Sequence, residues 1–200
     1  MIVFSNPIAL RDEIDIIHSL FEDGLDLFHV RKPGYSLAEM QQFLQQIKSD
    51  YREKLALHTH HQLADDFGIN RIHFSEKDRK HANEFPARFS KSCRYKSTST
   101  HSIDDFNTLE NHFDYAFLSP VFPSISKQNY LPNTNLVEAI KSRTNFKTKV
   151  IALGGITSEN ITKTLESGFD DVALLGTIWN NENLLNQFKL CQKIAHTYSR

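Results

Sequence analysis

Two hundred residues suffice for one domain, or at most two small ones, with a real core. Acids and bases are interspersed and nearly balance to a formal net charge of −1, which excludes a broad nucleic-acid or anionic-membrane surface but allows a local basic pocket. No apolar run reaches the roughly 18 residues of a membrane helix, the first residues lack a secretory pattern, and Cys93 and Cys191 show no metal-type spacing, as expected of reduced thiols in a cytoplasmic protein.

Taken in chain order, the first strand is expected at Ile2–Phe4. A helical stretch ends at Gly24, and Asp26 leads into a second strand that closes on His29-Val30. Leu37, Met40, Phe43, Leu44 and Ile47 then recur at helical spacing before a third strand at Lys54–His58. Gly68-Ile69-Asn70-Arg71-Ile72-His73-Phe74 repeats the Gly24 pattern as a fourth strand, and Cys93–Lys96 supplies a fifth. Phe113 to Leu118 repeats it again without the glycine, Lys149–Leu153 is the seventh strand, and Gly168 precedes the eighth, ending on Leu175. A last helix carries Leu184, Leu185, Phe188 and Leu190 or Cys191. Glycine in these repeats can take the left-handed conformation that stops a helix.

Short strands alternating with helices predict a parallel sheet of the α/β class. Eight βα units in this length predict a (β/α)₈ TIM barrel of minimal size, a single domain over residues 1–200. An open doubly wound sheet fits less well, because no Gly-x-Gly-x-x-Gly follows the first strand.

In such a barrel the chemistry sits at the strand C-termini. The seventh strand runs into Gly154-Gly155 and the eighth into Gly176-Thr177, where glycines let backbone amides approach a phosphate. After the sixth strand, Ser119-Pro120 leads to Ser124, Ser126 and Lys127, a candidate anion clamp stiffened by prolines. Arg31 and Lys32 place cations directly after the second strand. His58-Thr59-His60-His61 could mark a metal-dependent hydrolase, but later strands offer no further ligands beyond Asp78. The histidines are therefore not read as a metal site, and His60 and His61 are expected to cap or face the next helix.

Together these residues resemble the superfamily of thiamine-phosphate synthases and TenI-like thiazole tautomerases. The resemblance spans nearly the whole chain: His29-Val30-Arg31, His73 to Asp78, Ser99-Thr100-His101-Ser102, Phe117 to Lys127 and Ala152 to Ile156. It implies an enzyme of thiamine biosynthesis, a transferase coupling hydroxymethylpyrimidine diphosphate to thiazole phosphate with loss of pyrophosphate. Its partner would be a small phosphorylated heterocycle, with no nucleic acid or membrane involved, and a homodimer is compatible with a barrel of this size. By resemblance Asp78 would ligate Mg²⁺. Arg31, Ser99 and Lys127 would stabilise the departing pyrophosphate, and Ser124, Ser126, Gly155 and Gly176-Thr177 would hold the thiazole phosphate. Two positions depart from the family: its Asn-Asp pair, which supplies the second metal carboxylate, falls on His58-Thr59, and its strand-two lysine falls on Pro33 beside Lys32. The alternatives are a tautomerase, an isomerase using His29 or His101 as acid–base group, and a non-catalytic binder of thiazole or thiamine phosphate.

Overall fold

The computed structural model describes residues 1–81, 93–110, 112–123 and 135–198. Eight parallel strands follow one another in chain order and close into a barrel, as the alternation of strand and helix signals predicts. No helix among the described residues is long and apolar enough to cross a membrane. The chain forms two compact units, residues 3–98 and residues 1–2 with 99–200.

In the first unit, α1 (Glu13–Glu22) buries Ile17, Leu20 and Phe21, and α2 (Leu37–Gln46) buries Met40, Phe43 and Leu44. A capping box starts α2, Ser36 and Glu39 each satisfying the other's backbone amide. Strand β2 (Leu27–Val30) pairs with β3 (Leu55–Leu57) in the register Phe28↔Leu55, His29↔Ala56 and Val30↔Leu57. The next helix, α3 (Leu63–Phe67), stops at Gly68, whose φ of 66° is the left-handed cap read from the repeat. β4 (Arg71–Phe74) follows with Ile72 opposite Leu57, then α4 (Glu76–His81).

β5 spans Tyr95–Thr100, later than the Cys93–Lys96 expected from sequence. The polar run Ser97-Thr98-Ser99-Thr100 reads as a loop but behaves as a strand. Thr98 and Thr100 donate to the carbonyls of Phe74 and Phe117 on the flanking strands, at 2.9 and 3.0 Å. Their hydroxyls are thus satisfied while Ser97 and Ser99 take the opposite face.

In the second unit, α5 (Ile103–Asn107) is capped by Ser102, which accepts from the Asp105 amide. β6 (Tyr115–Leu118) is buried along its length and pairs with β7 (Lys149–Leu153), which pairs with β8 (Asp171–Leu174). Strands covered on both faces read as continuous apolar runs, hence their clarity in the sequence. α6 (Leu136–Ala139), α7 (Ile161–Glu166) and α8 (Gly176–Trp179) precede the long α9 (Leu184–Tyr198). α9 packs on α7 and α8 and buries Phe188, Cys191 and Ala195, so Cys191 and not Leu190 completes its apolar stripe. Arg143 bridges the Asp170 carboxylate at 2.9 Å and the Thr148 carbonyl at 3.0 Å, while that carboxylate accepts from the Val150 amide.

Candidate active site

Three histidines meet inside the first unit. His29 lies in β2, His58 just past β3, and His73 in β4. Because Leu57 pairs with Ile72, the residues that follow become neighbours: the His58 and His73 rings stack at 4.0 Å between centroids. His29 Nδ1 and His58 Nε2 lie 2.8 Å apart and share a hydrogen bond, and Phe4 stacks on His29 at 5.0 Å. His73 Nδ1 reaches Ser97 Oγ at 2.9 Å. His29 and His73 are buried and His58 is half-buried.

Burial holds all three imidazoles in the neutral form, because charge on a ring out of water is costly. The pKa of His29 lies well below its usual value through burial, then the nearby His73 and Arg71. For His58 burial again leads, followed by His73, His29 and Arg31. His73 is pushed down to about 3 by burial, then by His61 and Arg31. The His-x-His read from sequence divides here. His60, at φ 54°, turns its Nε2 to the Tyr35 carbonyl at 2.8 Å, while the carbonyls of His60 and His61 receive the first amides of α3.

Arg31 is exposed at the end of β2, its amide and carbonyl both bonded to the buried Ser5 hydroxyl. The adjacent Lys32 points elsewhere: it is buried, paired with Glu13. Asp78 is exposed in the first turn of α4, where its carboxylate accepts from Ser75 Oγ at 2.6 Å. Thr59 is exposed and carries only a neutral hydroxyl.

Among the described residues, this donor set does not complete a magnesium site. Mg²⁺ takes hard oxygen ligands and leans on carboxylates. Here the Asp78 carboxylate is already engaged by Ser75, Thr59 offers only a neutral hydroxyl, and the nearby cluster offers nitrogen.

In the second unit, Ser99 is half-buried near the end of β5, and His101 Nδ1 lies 2.8 Å from the Ser119 carbonyl past β6. The loops after β6 and β7 interlock. The Val121 and Phe122 amides donate to the Leu153 and Gly154 carbonyls at 3.0 and 3.1 Å. A Cβ on Gly154 would meet Pro120 at 2.9 Å, and one on Gly155 would meet the Pro123 carbonyl at 2.5 Å. Both glycines also have positive φ, so close packing and backbone conformation each demand them. Gly176 begins α8, and the buried Thr177 hydroxyl donates to the Ile156 carbonyl, tying this turn to the loop after β7. Ser124, Ser126 and Lys127 lie outside the described residues.

The sequence places His29 and His73 on strands neighbouring His58 but does not show that their ring nitrogens meet. The usable signal was strand register: three histidines near the ends of consecutive strands, at positions whose side chains share a face.

A family model described as thiamine monophosphate synthase matches residues 1–178. The thiamine-phosphate synthase of Caldicellulosiruptor saccharolyticus is 24% identical over 205 residues, covering 98% of this chain and 89% of that protein. Among solved structures, the thiamine phosphate pyrophosphorylase of Bacteroides thetaiotaomicron superposes with a TM-score of 0.76 at 28% identity, over 98% of this chain and 97% of that one. The Pyrococcus furiosus thiamine phosphate pyrophosphorylase shares the fold at a TM-score of 0.77 and 18% identity, over 98% and 95% of the two chains.

Proposed function

The chain belongs to the thiamine monophosphate synthase family, and on that premise we propose that it is a transferase joining an aminopyrimidine diphosphate to a thiazole phosphate. The family match along residues 1–178 carries this reading. The carbon–oxygen bond to the diphosphate breaks, its electron pair leaving with pyrophosphate. The thiazole nitrogen then donates its lone pair to the pyrimidine methylene, forming the carbon–nitrogen bond of thiamine phosphate.

Arg31 presents a planar guanidinium suited to two pyrophosphate oxygens at once, and Ser99 adds a hydroxyl donor. Lys127 contributes a point charge to the same leaving group. The thiazole phosphate is held by backbone amides around Gly155, Gly176 and Thr177, with Ser124 and Ser126 as hydroxyl donors. Thr177 serves through its amide, since its hydroxyl is given to Ile156. Gly154, Ser119 and Pro120 shape the wall of that grip.

The tautomerase reading draws on Thr59, because moving a proton on the thiazole ring needs no second metal carboxylate. In that case His29 or His101 carries the proton. One assay separates the readings: product formation from the two substrates, with magnesium and with chelator. Thiamine phosphate is the expected product. Thiazole phosphate binding without coupling would transfer the assignment to a tautomerase or a binder.

A further inference from the structure

We propose that His29, His58 and His73 form a binding site for a first-row divalent transition-metal ion of the zinc type, held by three imidazole nitrogens. One ring nitrogen from each lies within 4.8 Å of those from the other two. His29 Nδ1 and His58 Nε2, 2.8 Å apart, share a single proton. Two nitrogens on one tetrahedral ion, each about 2.0–2.1 Å from it, stand roughly 3.3 Å apart. Exchanging that proton for an ion opens the pair by only about half an ångström.

The third ring is already oriented. His73 Nδ1 is held by Ser97 Oγ at 2.9 Å, the kind of outer hydrogen bond that fixes the tautomer of a metal-bound imidazole, so His73 would bind through Nε2. Burial keeps all three rings neutral, the form whose lone pair a metal needs. Imidazole suits zinc, copper, nickel and iron and does not suit magnesium, so this site differs in chemistry from one built on Asp78.

Three protein ligands leave a fourth position open, the arrangement of reactive zinc sites. Access is from the side of half-buried His58, at the C-terminal end of β3. Arg31 and Arg71 add positive charge around the rings, so the fourth ligand is expected to be anionic, a hydroxide or an oxyanion.

The test uses the full-length chain, stripped with chelator and titrated with Co²⁺ alone, then challenged with Zn²⁺ and Mg²⁺. One Co²⁺ per chain should bind with the intense visible absorption of a four-coordinate ion, yield to Zn²⁺ and ignore Mg²⁺. His29→Gln and His58→Asn should each weaken binding on the order of 100-fold or more, and Ser97→Ala about 10- to 100-fold with an unchanged melting curve. Should the histidine variants not fold, the Ser97→Ala affinity decides. Absence of stoichiometric Co²⁺, wild-type affinity in folded histidine variants, or no effect of Ser97→Ala overturns the site. The titration involves no turnover, so its failure is distinct from failure of the synthase reading.

Discussion

The Lys32 ammonium is paired with the Glu13 carboxylate, and both side chains are out of solvent. Lys32 also reaches the Ile8 carbonyl at 3.4 Å and lies over the rings of Tyr35 and Phe43, while Glu13 accepts from the Asn6 amide at 3.2 Å. The cation next to Arg31 thus fastens α1 and the loop after β1, and is not available as a cation at the barrel rim.

Breaking this pair should be costly. Lys32→Met leaves a buried carboxylate without its partner and should lower unfolding free energy by about 3–5 kcal/mol in a denaturant titration. Lys32→Met combined with Glu13→Leu removes both charges and should recover most of that loss. An additive double variant would show that the two groups are not coupled.

Thr59→Asp adds a second carboxylate, just past β3, to the one that Asp78 offers past β4. The magnesium concentration giving half-maximal coupling should fall by about tenfold, since affinity for a hard cation follows ligand charge. The measurement is initial rate of thiamine phosphate formation against magnesium concentration. An unchanged requirement would remove Thr59 as the reason the donor set falls short.

Gly155→Ala places a Cβ 2.5 Å from the Pro123 carbonyl at a φ of 64°. A loss of about 1–3 kcal/mol is expected, together with weaker thiazole phosphate binding. Gly34→Ala is the control, because nothing lies within 4 Å of its added Cβ, and it should stay within about 0.5 kcal/mol of the parent. Equal melting temperatures for the two variants would refute the packing account.

The two thiols should differ sharply toward a disulfide reagent. Burial pushes the Cys191 thiol up to about 11, so roughly a thousandth is thiolate at pH 8. Half-buried Cys93 should react first and Cys191 far more slowly. Reactivity of Cys191 should climb as pH rises toward 11, because the reactive thiolate accumulates there. Two equally fast thiols at pH 8 would contradict this.

Fold and site were unequally legible in the sequence. The barrel showed itself because buried parallel strands such as Tyr115–Leu118 are apolar runs and because Gly68 marks a helix end by its chemistry. β5 was obscured where Thr98 and Thr100 spend their hydroxyls on neighbouring carbonyls, a pairing invisible without its partners. The glycine loops were found, but the sequence could not tell that Pro120 and Pro123 also require those glycines. Lys32 looked like a rim cation because its partner lies nineteen residues earlier, at the start of α1. The histidines are legible on neighbouring strands but not as a site, because further ligands are expected from later strands, whereas strand register joins His58 to His29 and His73.

The interlock between residues 120–123 and 153–155 also limits how such a barrel can be re-engineered. A new loop grafted after β6 alone would bring side chains into the space that Gly154 and Gly155 leave for Pro120 and Pro123, and a new loop after β7 alone would do the reverse. The two segments form one transplantable cassette, and libraries that vary them jointly should yield folded proteins more often than libraries that vary either in isolation.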